Sequence, residues 1–141
     1  MADVNTDDVV KTFEDMRRSK EYEYIMCKLS SDGSTLNVDK VAKGSETTSK
    51  EVYQRFHDDV PADESRFIVY DFRYVANGEI DHHKFLLILW CPDGASTKEK
   101  NSYMSLKPAL RKKLRSIGKE LFIGHMDDLA YEEMKQMCDI R

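Results

Sequence analysis

FLLILWCPDGASTKEKNSY, residues 85 to 103, is the stretch that decides the fold. Every position from Phe85 to Trp90 is apolar, which predicts a strand covered on both faces at the middle of a sheet, because a half-solvated strand would alternate. Cys91-Pro92 ends the run. A short loop then brings Lys98 and Lys100 to the mouth of a helix, one residue apart. A sheet buried on both sides needs helices on both sides, so the rest of the chain must supply them.

Upstream, RFIVYDFRYV (66–75) sets Ile68, Tyr70, Phe72 and Tyr74 on one face, with Phe67 and Val69 on the other. Asn77-Gly78 follows, a strong two-residue hairpin signal because a type I′ turn needs two positions that tolerate positive φ. YEYIMCKL (22–29) and TLNVDKV (35–41) predict two more strands around the turn-rich SSDGS, and ELFI (120–123) a fifth. Thr6 is the expected N-cap of a first helix, with Asp7 and Asp8 in its first turn and Val9, Val10, Phe13 and Met16 at helical spacing. Thr48 and Glu51 form a capping-box pair ahead of a short helix carrying Val52, Tyr53 and Phe56, which Pro61 stops. In the long helix after the loop, Tyr103, Leu106, Leu110 and Leu114 form the buried stripe, and Lys100, Lys107 and Arg111 lie along another face. Pro108 inside it predicts a kink or break near Lys107. DDLAYEEMKQM predicts a C-terminal helix.

The expectation is one α/β (α+β) sandwich over residues 1–141: a mixed, mostly antiparallel five-stranded sheet with helices on both faces. With 141 residues, 40% of them hydrophobic, the chain is long enough for one sizeable core. No apolar run reaches the roughly 20 residues of a membrane span, and Met1-Ala2-Asp3 lacks a basic-then-apolar leader. Three widely spaced cysteines without a CxxC pair argue against a disulfide framework and fit a reducing cytoplasm. The net charge of −4 is unevenly spread: residues 98–119 hold eight basic side chains and one acidic, a local +7 against −11 for the remainder. Such polarity favours an acidic partner for the basic segment, although a basic helix face can also be merely solvated.

In sequence order, the pattern helix, hairpin, helix, SRFIVYDF, LILWCPDGASTKEKNSY and KPALRKKL resembles the actin-depolymerising factor/cofilin family. The resemblance runs from VNTDDVV to DLAYEEMK and is most specific between Trp90 and Leu114. It implies the cofilin-like (gelsolin-like) ADF-homology fold and a monomeric protein that binds actin monomers and filaments and promotes filament disassembly by depolymerisation or severing. It nominates Lys98 and Lys100 as the principal charged contacts to the monomer. Asn101, Ser105, Leu106, Lys107 and Arg111 accompany them on the inserting helix, and Ala2, Asp3 and Val4 lie beside it. The basic positions of the filament surface fall on His82 and Lys84. Phosphoinositide headgroups are a further implied ligand, with Lys98, Lys100, Lys112 and Lys113 as the residues concerned.

Four departures from the family pattern matter. Met-Ala-Asp-Val offers no N-terminal serine for inhibitory phosphorylation; the first hydroxyl is Thr6. Asn101 and YMSLK followed by Pro108 enlarge and bend the inserting face. His82 replaces a permanent cation by a group mostly neutral at pH 7. Lys119 occupies the place of a histidine credited with pH sensing in some relatives.

Rival readings are weaker. Asp81, His82, His83, His57 and Asp58 offer metal-ligand types, but adjacent histidines on a strand point to opposite faces, so no metal or other cofactor is expected. Cys91, closing a buried strand, reads as a small core residue rather than a nucleophile, and no enzyme activity is expected. Nucleic acid is disfavoured, since the basic window lacks a stacking platform and the remaining −11 repels phosphate. Within the same fold, a monomer- or filament-binding protein without strong severing, like coactosin or glia maturation factor, is the alternative.

Overall fold

The computed structural model describes residues 4–19, 22–43, 50–76 and 79–139. Five strands form one sheet: β1 (Tyr22–Leu29), β2 (Leu36–Lys43), β3 (Arg66–Ala76), β4 (Glu79–Trp90) and β5 (Ile117–Ile123), in the order β2-β1-β3-β4-β5. The first three pairings are antiparallel, and β4 pairs with β5 in parallel. The expected mixed, mostly antiparallel sheet is therefore present, with β3 rather than β4 at its centre. The apolar run of β4 still lies between two neighbours, and Phe85 to Trp90 is buried at every position. Asn77 and Gly78 lie outside the described residues, between strands that pair Ala76 with Glu79.

Strand parity separates two cores. Phe67, Val69, Leu87 and Leu89 face α1 (Asp7–Ser19) and α3 (Thr97–Lys113), which contribute Val9, Phe13, Met16, Leu106 and Leu110. Ile68, Tyr70, Phe72, Leu86, Ile88 and Trp90 face α2 (Lys50–Asp59), a 3-10 turn (Met126–Leu129) and α4 (Tyr131–Asp139). The short α2 is thus a cover in its own right, through Tyr53 and Phe56. Its expected capping residue Thr48 lies outside the described residues.

Three local expectations change. Thr6 precedes α1 and its carbonyl accepts from Val10 N–H at 3.0 Å, but its hydroxyl accepts from Lys113 Nζ at 3.2 Å. Asn5 Oδ1 instead takes the Asp7 N–H, at 3.0 Å.

Of the kink or break expected near Lys107, the break does not occur: α3 is one continuous helix of 17 residues with Pro108 inside it. Proline removes the hydrogen bond to the Met104 carbonyl. Met104, Ser105, Pro108 and Ala109 are all exposed, so water can take that carbonyl. The buried Tyr103, Leu106, Leu110 and Leu114 hold both halves to the sheet.

The C-terminal helix, conversely, is interrupted. Leu129 and Met134 are both fully buried, yet five residues apart in one continuous helix they would diverge by about 140°. Extended backbone at Ala130 (φ −64°, ψ 153°) resolves the conflict, and the Leu129 carbonyl accepts from Tyr53 Oη at 2.6 Å.

Candidate functional site

The loop that aims α3 is pinned to β5. Cys91 N–H donates to Ile123 O and Asp93 N–H to Gly124 O, both at 3.0 Å. Gly124 is needed for this approach, since a Cβ there would stand 3.2 Å from the Cys91 carbonyl and 2.7 Å from Asp93 Oδ1. Ser96 caps the helix, its Oγ accepting from Glu99 N–H at 3.1 Å. The Glu99 carboxylate does not complete a capping box; it accepts from Ser65 Oγ at 2.6 Å and ties the helix to the segment before β3.

The two lysines part company. Residues two apart on a helix point about 200° from one another. Lys98 is exposed, with no ion pair among the described residues, and borders a cleft of about 500 Å³ between the β1–β2 turn and α3. Lys100 is half-buried and donates to the Asp93 carbonyl at 3.0 Å, so it braces the loop. The cleft beside Lys98 has Tyr103 in its wall, whose hydroxyl accepts from Leu29 N–H at 3.0 Å. Arg66, also in that wall, is buried and pairs with Asp39 and Glu64. Lys28 and Arg66 together hold the Glu64 carboxyl below its usual range.

Asn101 and Ser105 share the outward face with Lys98, Ser105 Oγ donating to Ser102 O at 3.0 Å. Leu106 belongs to the core at 6% exposure, and Lys107 is half-buried on the flank. Arg111 is tied to β5: Nη2 donates to Ile117 O at 3.3 Å, and Nε lies 3.4 Å from Glu120 Oε2 without a hydrogen bond. Lys112 is exposed, whereas Lys113 reaches Thr6. Val4 packs against the α1/α3 core; Ala2 and Asp3 lie outside the described residues. On β4, His82 pairs in register with Tyr74 and Lys84 with Phe72, far along the strand from the loop.

Sequence reasoning missed Met104. It is 48% exposed and continues with Pro108 and Ala109 as an apolar strip down the outward face, beside Asn101, Ser105 and Lys112. A large apolar residue one step outside the buried stripe, with Pro108 four residues on, was the available signal. Cys91 is 1% exposed, and its thiol is pushed up by burial, partly offset by the Ser65 hydroxyl. Such a thiol is poorly suited to nucleophilic work.

The family described as cofilin/tropomyosin-type actin-binding protein matches residues 1–139. Cofilin of Ogataea parapolymorpha is 33% identical over 130 residues, covering 92% of this chain and 87% of that protein. The crystal structure of Streptomyces griseoflavus cofilin superposes with a TM-score of 0.83 at 28% identity, covering 96% of this chain and 97% of that one. Plasmodium berghei actin depolymerization factor 2 shares the fold, with a TM-score of 0.85 at 24% identity and coverage of 98% and 97%. A five-stranded sheet with α3 packed on one face, and a family match from residue 1 to residue 139, together establish that the chain belongs to the cofilin/actin-depolymerising factor family.

Proposed function

We propose that this chain binds actin through the outward face of α3 and promotes filament disassembly without covalent chemistry. The observation that carries this reading is the exposed strip of Met104, Pro108 and Ala109 flanked by Lys98, Asn101, Ser105 and Lys112. Apolar anchors with a charged rim are what a desolvated, oriented protein contact requires. Lys98 supplies the direct charge, and Lys100 holds the loop that presents it. Val4, with Ala2 and Asp3, accompanies the helix. Leu106, Lys107 and Arg111 support it from behind and from the flank. His82 and Lys84 form the second contact, used on filaments. The protein works as one monomeric unit on the actin cytoskeleton of the cytoplasm.

The direct test is co-sedimentation with actin filaments over a range of ratios, scoring pelleted protein and supernatant actin. Pelleting with rising supernatant actin is expected; no effect of either kind overturns the reading. Supernatant actin without pelleting would favour a monomer binder that lacks the filament surface. Replacing Lys98 and Lys100 together by Ala should weaken monomer binding by about 2 kcal/mol or more, with Lys98 the larger contributor. Unchanged affinity in a folded double variant would remove both from the contact. Protonation of His82 should make filament binding stronger at pH 6 than at pH 8; a flat profile excludes that role.

For phosphoinositides, Lys98 and Lys112 are separated by about 21 Å of helix rise. One headgroup therefore takes either the Lys98–Lys100 end or the Lys112–Lys113 end, and competition with actin is expected to be sharper at the first.

A further inference from the structure

Among the described residues, three large apolar side chains are exposed: Val41 at 36%, Met104 at 48% and Phe122 at 48%. A single one needs no explanation, because much of any protein surface is apolar. Two on the same side of one helix do. Arg111 fixes which side of α3 looks toward β5: its Nη2 donates to Ile117 O at 3.3 Å, and its Nε lies 3.4 Å from Glu120 Oε2. Met104 precedes Arg111 by seven residues, which brings it within about 20° of the same direction around the helix. Strand register supplies the other half. Phe122 pairs with Leu89 and Glu120 with Leu87, and both leucines belong to the core under α1 and α3. Phe122 therefore stands on the α3 face of the sheet, on its edge strand.

As the connection between two parallel strands, α3 runs opposite to β5. Phe122 is about 6.6 Å along the strand from Glu120. One turn back from Arg111 covers about 6 Å of helix, so Phe122 comes level with Lys107 and Pro108, and Met104 follows one turn further. The half-buried Lys107 lies on this side as well, giving an apolar surface with a basic rim. An aromatic side chain left open on an edge strand invites stray pairing unless something covers it. We propose that the actin contact wraps from the outward face of α3 onto its β5 flank, with Phe122 as a second apolar anchor for the same actin monomer that meets Met104. This inference rests on the actin reading above and deepens it. The matching actin surface is apolar, with acidic groups at its edge facing Lys107. Val41 lies on β2, at the other edge of the sheet, and has no part in this surface.

The experiment measures actin-monomer binding by wild type, Phe122→Ala, Phe122→Gln, Phe122→Leu and Val41→Ala. Phe122→Ala and Phe122→Gln should each bind about five- to tenfold more weakly, while Phe122→Leu, which keeps an apolar side chain, loses no more than about threefold. Val41→Ala should stay within about twofold, as an exposed apolar residue outside the contact. If Phe122→Ala fails to fold, Phe122→Gln decides, since it retains a long side chain at the half-exposed position. Wild-type binding with Phe122→Gln unaffected overturns this inference and leaves the actin reading intact. Equal losses in Val41→Ala and Phe122→Ala overturn it as well, because they report a general weakening rather than a contact. Wild type that binds no actin monomer overturns both the monomer reading and this inference.

Discussion

The two faces of the sheet are built on different principles. The face under α2 and the C-terminal elements is a mesh of rings: Tyr24, Tyr53, Phe56, Tyr70 and Phe72 have centroids 4.8 to 6.0 Å apart. Its polar ends are anchored, Tyr53 Oη to Leu129 O, Tyr24 Oη to Asp59 Oδ2 at 2.7 Å, and Trp90 Nε1 to Pro61 O at 2.7 Å. The face under α1 and α3 relies mainly on aliphatic shape, with Phe13 against Phe85 as an edge-on pair at 5.3 Å. Directional hydrogen bonds fix the first face in one arrangement. The second is covered by α1 and by the inward stripe of α3, which leaves the outward side of α3 available for a partner.

The largest test of that contrast is Tyr53→Ala, which should cost about 3–5 kcal/mol by urea unfolding. Tyr53 is 1% exposed and touches four other rings. A loss below 1 kcal/mol would show that the aromatic mesh is not cooperative. On the other face, Pro108→Ala should raise stability by about 2 kcal/mol, since a helix interior prefers alanine and the site is exposed. A neutral result would mean that α3 has already relaxed around the ring.

Tyr53→Phe keeps the ring and removes one buried hydrogen bond, so a cost of about 1–2 kcal/mol is expected, much of it from the stranded Leu129 carbonyl. Ser116 holds φ at 71°, in the left-handed region. Ser116→Gly should therefore gain about 0.5 kcal/mol, with the strain relief partly offset by the freedom glycine adds to the unfolded chain.

The smallest effect concerns Asp59. Lys40, 2.8 Å away, and the Tyr24 hydroxyl hold its carboxyl below the usual range. A depressed folded pKa contributes stability above the unfolded pKa and loses it as pH falls through the folded value. Stability measured from pH 7 down to pH 3 should therefore fall less in Tyr24→Phe than in wild type, and identical curves would remove Tyr24 from the coupling.

Much of this architecture was legible because it is local. Alternation in β3 assigned Ile68, Tyr70 and Phe72 to one core and Phe67 and Val69 to the other, as found. Helical spacing assigned Tyr103, Leu106, Leu110 and Leu114 to the buried side of α3. What escaped depends on contacts between residues far apart in the chain. Nothing near Thr6 announces Lys113, and nothing near Leu129 announces the Tyr53 hydroxyl that takes its carbonyl. The differing roles of Lys98 and Lys100 required the Asp93 carbonyl to be in place, and the outward face became complete only when Met104 was found on it.

Strands β4 and β5 run in parallel, so the chain between them has to return the length of the sheet, and α3 is that return path. The loop that aims the proposed contact helix is therefore pinned only when the chain through Gly124 is available to pair. During biosynthesis, a nascent chain ending before Ile117 would carry every residue of the helix but not the strand that closes the crossover. Engagement of a partner thus doubles as proof of completed folding, and a bound partner would hold the last strand shut by mass action.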